Sequence, residues 1–290
     1  MKRTEGYIPY GSYKIWYRIV GECENGKLPL LILHGGPGMA HDYLESLEAL
    51  AEDGRAVIFY DQLGCGKSPV PEGAIDWNTE IWEKEIDVVR EALQLKELHI
   101  LGQSWGGMLA MQYAAHKPGG LKGMVISSSP ASMALWEKEA HRLIELLPEK
   151  EKKQILEAEA TGIYDTPEYQ EALELYYARH MCRILPNPEE VERSNAQVGE
   201  VYMVMEGPSE FTVTGKLKEW DITDQLSTIE QETLLLSGTD DEATPLIVKE
   251  IYDRIPHCEW KLLDGTHLVH VERKAEYQEY VRNFLNRLEK

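Results

Sequence analysis

The stretch ELHILGQSWGGMLAMQYAAHKP, residues 97–118, constrains the fold more tightly than any other. An apolar run of strand length ends in Gly102-Gln103-Ser104-Trp105-Gly106, and a helix-period segment follows as far as Lys117-Pro118. The letters match G-x-S-x-G in the strand-to-helix setting that this motif requires. A serine at so sharp a bend has a strained backbone, and side chains two positions to either side would collide, hence the glycines. The bend lifts the hydroxyl clear of the strand. It also aims the next backbone N–H groups, at the positive end of a helix, toward negative charge forming beside the serine.

A serine hydroxyl is too weak an acid to attack an amide or ester unaided, so it needs a histidine base and a carboxylate to orient that base. In this arrangement the partners follow in the order Ser, acid, His. LLLSGTDDEATP places Asp240 and Asp241 just beyond a strand pattern, and LLDGTHLVHVE places His267 and His270 beyond the next. His267 falls in the loop directly after the strand, whereas His270 falls where a helix should begin, a packing position. Local pattern does not separate the two aspartates. A second oxyanion donor is expected in LILHGGPG, where Gly35 and Gly36 expose backbone N–H groups and Pro37 stiffens the turn. His34 has no second ligand at a suitable spacing, so it reads as a brace for this loop and not as a metal ligand.

DQLGCGKS, residues 61–68, ends in Gly-Lys-Ser and invites a nucleotide reading. A phosphate loop requires G-x-x-x-x-G-K-[ST] followed by a helix. Here Asp61 stands where the first glycine should be, and Pro69 and Pro71 follow where the helix should start. The segment reads instead as a tight loop leaving a strand at the active edge of a sheet.

YKIWYRIVG, PLLILHGG, AVIFYDQ, GMVISSS, ETLLLSGTD and CEWKLLDG are further strand-like runs. They alternate with helix-period segments such as WEKEIDVVREALQ and the closing KAEYQEYVRNFLNRLEK, a pattern that predicts the α/β class with a mostly parallel sheet. Residues 131–215 are different in character: charged, helix-rich, broken by Pro148, Pro167, Pro186 and Pro188, and without a strand pattern. The expected organisation is therefore a core domain, 1–130 and 216–290, with a helical cap, 131–215, inserted between two strands at the carboxyl edge where α/β ligands bind.

Fifty acidic against thirty basic residues give a net charge of -20, which opposes nonspecific binding to nucleic acid or anionic membranes. The four cysteines form no C-x-x-C, so neither a disulfide framework nor a zinc site is suggested and a reducing compartment fits. The first residues lack the continuous apolar segment of a signal peptide, and no run reaches the ~18 apolar residues of a membrane span. A soluble cytoplasmic protein without metal or cofactor is expected.

Taken in order, HGGPG, DQLGCGKS, GQSWGG, GTDDEATP and GTHL resemble the proline iminopeptidases, serine aminopeptidases of the α/β-hydrolase superfamily. The likeness spans nearly the whole chain and is weakest from 131 to 200. It implies an α/β-hydrolase fold with Ser104 as nucleophile, His267 as base, Asp241 as acid, and oxyanion donors at the N–H of Gly36 and Trp105. It also implies two carboxylates that hold the substrate's free amino terminus, Glu210 in GPSEF and Glu242 in DDEATP. The expected substrates are short peptides or amino-acid amides with a free N-terminus, cleaved preferably after proline through an acyl-enzyme. An amino-acid amidase or small-ester hydrolase with the same triad is the chemically adjacent alternative. A noncatalytic binding protein on this fold is the alternative of a different class.

Overall fold

The computed structural model describes residues 1–290. Eight strands form one sheet: β1 (Arg3–Tyr10), β2 (Tyr13–Val20), β3 (Leu30–Leu33), β4 (Val57–Tyr60), β5 (Leu98–Gln103), β6 (Leu121–Ser127), β7 (Glu232–Gly238) and β8 (Cys258–Leu263). Their order across the sheet is β1-β2-β4-β3-β5-β6-β7-β8. The β1–β2 and β2–β4 pairs are antiparallel and all later pairs are parallel.

The continuous apolar strands follow from burial on both faces of the sheet. Leu31, Leu33, Ile58, Tyr60, Ile100 and Leu235 point to one core, while Leu30, Ile32, Val57, Phe59, Leu101 and Leu234 point to the other. The first core is closed by α1 (Thr79–Ala92), α2 (Trp105–Ala115) and α8 (Pro245–Arg254), and the second by the 3-10 segment His41–Asp53, the short α9 (Val269–Glu272) and α10 (Lys274–Leu288). Every residue of α2 from Trp105 to Ala114 is buried, which explains why WGGMLAMQYAA is apolar all round. By contrast α10 buries Tyr277, Val281, Phe284 and Leu285 at helical spacing and leaves its other face wet.

β1 carries no apolar run because it is an edge strand. Only Ile8 among its residues is buried, and Pro9, which cannot donate to a ladder, is tolerated at that edge.

Between β6 and β7 lie α3 (Met133–Ile144), α4 (Glu149–Thr161), α5 (Pro167–His180), α6 (Glu189–Asn195) and α7 (Glu200–Met205). Thr166 caps α5 by accepting from Tyr169 N, with Pro167 in the first turn. Ile144, Ile155, Tyr169, Ala172, Tyr176 and Phe211 form a separate small core among these helices. The layer meets the sheet at its carboxyl edge, where the carbonyls of His180 and Met181 accept from the N–H groups of His267 and Leu268, both at 2.9 Å. An open, mostly parallel sheet covered on both faces, with a helical layer inserted after β6, is the α/β-hydrolase arrangement, and no helix is long and apolar enough to cross a membrane.

Candidate active site

Five loops leave the carboxyl ends of β3, β4, β5, β7 and β8 and converge beneath the helical layer. At the end of β5, Ser104 has φ 53° and ψ -124°, a left-handed conformation that a non-glycine residue holds only when its surroundings impose it. The imposing atoms are identifiable. A Cβ on Gly102 would strike the carbonyl of Gly106, and one on Gly106 would strike the carbonyl of Leu33 in the neighbouring strand. Gly106→Ala is therefore expected to lower unfolding free energy by about 1–3 kcal/mol in urea titration, and an unchanged midpoint would contradict this packing account.

His267 lies in the loop after β8. Its Nδ1–H donates to Asp241 Oδ1 at 2.8 Å, and Asp241 also accepts from Ala243 N at 2.8 Å and Gly238 N at 3.2 Å. Asp240 turns the other way, half-exposed and paired with Arg183 at the surface. His267 Nε2 lies 3.7 Å from Glu242 Oε1 and makes no hydrogen bond to Ser104 Oγ, although both Ser104 and His267 open on one cavity of about 730 Å³. His270 is buried, its Nε2–H donates to the carbonyl of Tyr43 at 3.2 Å, and burial holds its ring down to about 4. It packs and does not reach the cavity.

The glycine loop after β3 corrects one expectation. Gly35 N–H is not exposed for catalysis, because it donates to Tyr43 Oη at 2.7 Å. The N–H groups of Gly36 and Trp105 donate to no main-chain carbonyl, and Gly36 lines the cavity beside Ser104. His34 braces the loop: it accepts from Gln62 N through Nε2 at 2.9 Å. Gln62 then accepts from the Trp105 indole N–H at 2.8 Å, so the DQLGCGKS segment clamps both the glycine loop and the bend. The Asp61 carboxylate is consumed by structural contacts, accepting from His41 N, His41 Nδ1 and, within its own segment, Lys67 N.

Glu242 is buried, and neither of its carboxylate oxygens has a hydrogen-bond partner. Burial and then the neighbouring Glu210, Asp241 and Glu206 raise its pKa well above the ordinary carboxyl range. Glu210 accepts from Tyr202 Oη at 2.8 Å, and burial raises its pKa while His267 and Tyr202 partly offset that rise. Glu206, a buried acid whose pKa is raised chiefly by burial and then by Glu210, was invisible in the sequence pattern. It follows the end of α7 in irregular chain, where a spacing of four to Glu210 carries no geometric meaning. Gln103 was also missed. Its Nε2–H reaches the carbonyl of His267 at 3.4 Å and its Oε1 accepts from Tyr43 Oη at 2.6 Å, joining the serine bend to the histidine loop and the glycine loop.

Burying a carboxyl group without a hydrogen-bond partner is costly, and Glu242 carries that cost. The arrangement thus brings together a serine hydroxyl, an imidazole oriented by a carboxylate, backbone N–H groups with no main-chain partner and a group of carboxyl side chains beside the imidazole.

Residues 29–274 match the family model for the α/β hydrolase fold. The proline iminopeptidase of Clostridium botulinum is 44% identical over 99% of this chain and 99% of its own. Among solved structures, VinJ has a TM-score of 0.95 at 39% identity, covering 98% of this chain and 99% of its own. The proline iminopeptidase of Mycobacterium smegmatis has a TM-score of 0.93 at 37% identity, covering 99% of both chains. With likeness of this extent in sequence and in fold, the chain belongs to the proline iminopeptidases of the α/β-hydrolase fold.

Proposed function

We propose that this protein is a serine aminopeptidase that releases an amino-terminal residue, preferably proline, from short peptides through an acyl-enzyme. The observation that carries the reading is the buried, unpartnered Glu242 beside His267, with Glu210 close by. A peptide's terminal ammonium supplies the missing cation, and charge-assisted hydrogen bonds of this kind contribute about 1.5–3 kcal/mol each.

In this mechanism Ser104 attacks the first carbonyl while His267 Nε2 takes its proton. Asp241 holds the ring by its Nδ1–H and stabilises the imidazolium. The N–H groups of Gly36 and Trp105 bind the oxyanion. His267 then delivers the proton to the departing amine, and water repeats the sequence in reverse to free the amino acid. The serine–histidine hydrogen bond forms once substrate fills the cavity, as is usual for sites seen without ligand. Residues 131–215 act as a cap that shields the carboxylates and admits only short chains.

Glu242→Gln and Glu210→Gln are each expected to lower kcat/KM on a prolyl amide by about 10- to 100-fold. N-acetylation of the substrate should abolish turnover by wild type, since a neutral amide leaves the buried acids unpaired. The assay compares prolyl, alanyl and leucyl amides with a plain acetyl ester. Wild-type rates for both glutamine variants, or an ester-only profile, would refute the proposal.

A further inference from the structure

The cavity of about 730 Å³ that holds Ser104 and His267 is larger than an amino-terminal proline requires, and a further wall extends beyond these two residues. Met181, Leu185, Val191 and Val198, from the end of α5 to the loop after α6, make that wall apolar. Leu185 and Val198 are 66% and 41% exposed, an apolar lip at the mouth. The wall has acids but no cation. Glu174 and Glu192 line it, no Lys or Arg does, and Asn187 Nδ2–H donates to Glu192 Oε1 at 2.7 Å, which steadies that carboxylate at the rim. The arginines that flank this wall in sequence are committed elsewhere: Arg179 donates to the carbonyl of Leu146 at 3.3 Å, Arg183 pairs with Asp240 and Asp264, and Arg193 pairs with Asp42, Glu45 and Glu189.

We infer that this wall receives the leaving group and selects an apolar residue whose carboxyl end is not free, so that amide-capped or longer peptides are cleaved in preference to simple dipeptides. The inference rests on the aminopeptidase reading and adds to it the chemistry of the second residue. In a dipeptide the carboxylate sits only a few bonds beyond the scissile nitrogen, inside the cavity. There it would lose water, meet no cation and face two carboxylates of its own sign. Capping it as an amide removes the charge, and adding a residue carries the charge out past the lip into solvent, where it is screened.

The test compares kcat/KM for prolyl-leucine, prolyl-leucinamide and prolyl-leucyl-glycine on wild type, Glu192→Gln and Glu192→Lys. Wild type should prefer the amide over the dipeptide by at least tenfold, with the tripeptide between them. Because the intrinsic leaving ability of each amine is the same for every variant, the change in this ratio between variants isolates the electrostatic part. Glu192→Gln should shrink the ratio and Glu192→Lys should shrink it at least fivefold, by raising the dipeptide rate while the amide rate holds. Equal wild-type rates on dipeptide and amide, or a ratio that does not move in Glu192→Lys, would overturn the inference while leaving the aminopeptidase reading intact. Turnover of none of the three would overturn both.

Discussion

Ser104→Ala is expected to lower kcat on a prolyl amide by roughly 10⁶-fold, with His267→Ala costing about as much and the double variant little more. The near-absence of additivity is the informative part. If Ser104 and His267 work as one unit, removing either removes the nucleophilic pathway. In the proposed mechanism, what remains is catalysis by the N–H groups of Gly36 and Trp105 and by binding. Stoichiometric labelling of wild type by a serine-directed phosphonate, lost in Ser104→Ala, locates the nucleophile independently of turnover. The substitution should not unfold the protein, because the left-handed bend is imposed by the contacts around Gly102 and Gly106 and not by the hydroxyl. Labelling at another residue, or a variant that retains even a hundredth of wild-type rate, would place the chemistry elsewhere.

Asp241→Asn should cost about 10⁴-fold in kcat, and Asp240→Asn less than about threefold. The two residues are adjacent and chemically identical, so the contrast depends only on placement. Asp241 accepts the Nδ1–H of His267 and two backbone N–H groups in a buried pocket. An asparagine there presents an N–H toward the ring and favours the tautomer that has its proton on Nε2, leaving no base for Ser104. Asp240 is exposed and salt-bridged to Arg183, an interaction of the kind that contributes ~0–1 kcal/mol. Steady-state kinetics on one prolyl amide settles the comparison, and equal losses in the two variants would contradict the assignment of the acid.

Local pattern made much of this molecule legible. Strand runs bounded by turn residues, the switch to helical period after Ser104 and the helix-only stretch after β6 all follow from short-range sterics and one-dimensional periodicity. DQLGCGKS was legible for the same reason: prolines two and four residues beyond its lysine preclude the helix a phosphate loop needs, and no helix begins between Lys67 and Thr79. β1 was not legible, because an exposed edge strand with one buried side chain carries no alternation. Nor was the state of Gly35, whose N–H is occupied by a tyrosine that arrives from the next segment of chain.

The sequence by itself determined the order of elements, the serine on its bend between glycines, and the histidine in the loop that follows the last strand, because each depends on neighbours within a few positions. Only the tertiary structure decided which aspartate meets His267, which glycine N–H stays free, and that Glu206, Glu210 and Glu242 share one buried region. Those outcomes turn on contacts between segments brought together from across the chain, where burial and hydrogen-bond geometry, and not residue type, fix what each group can do.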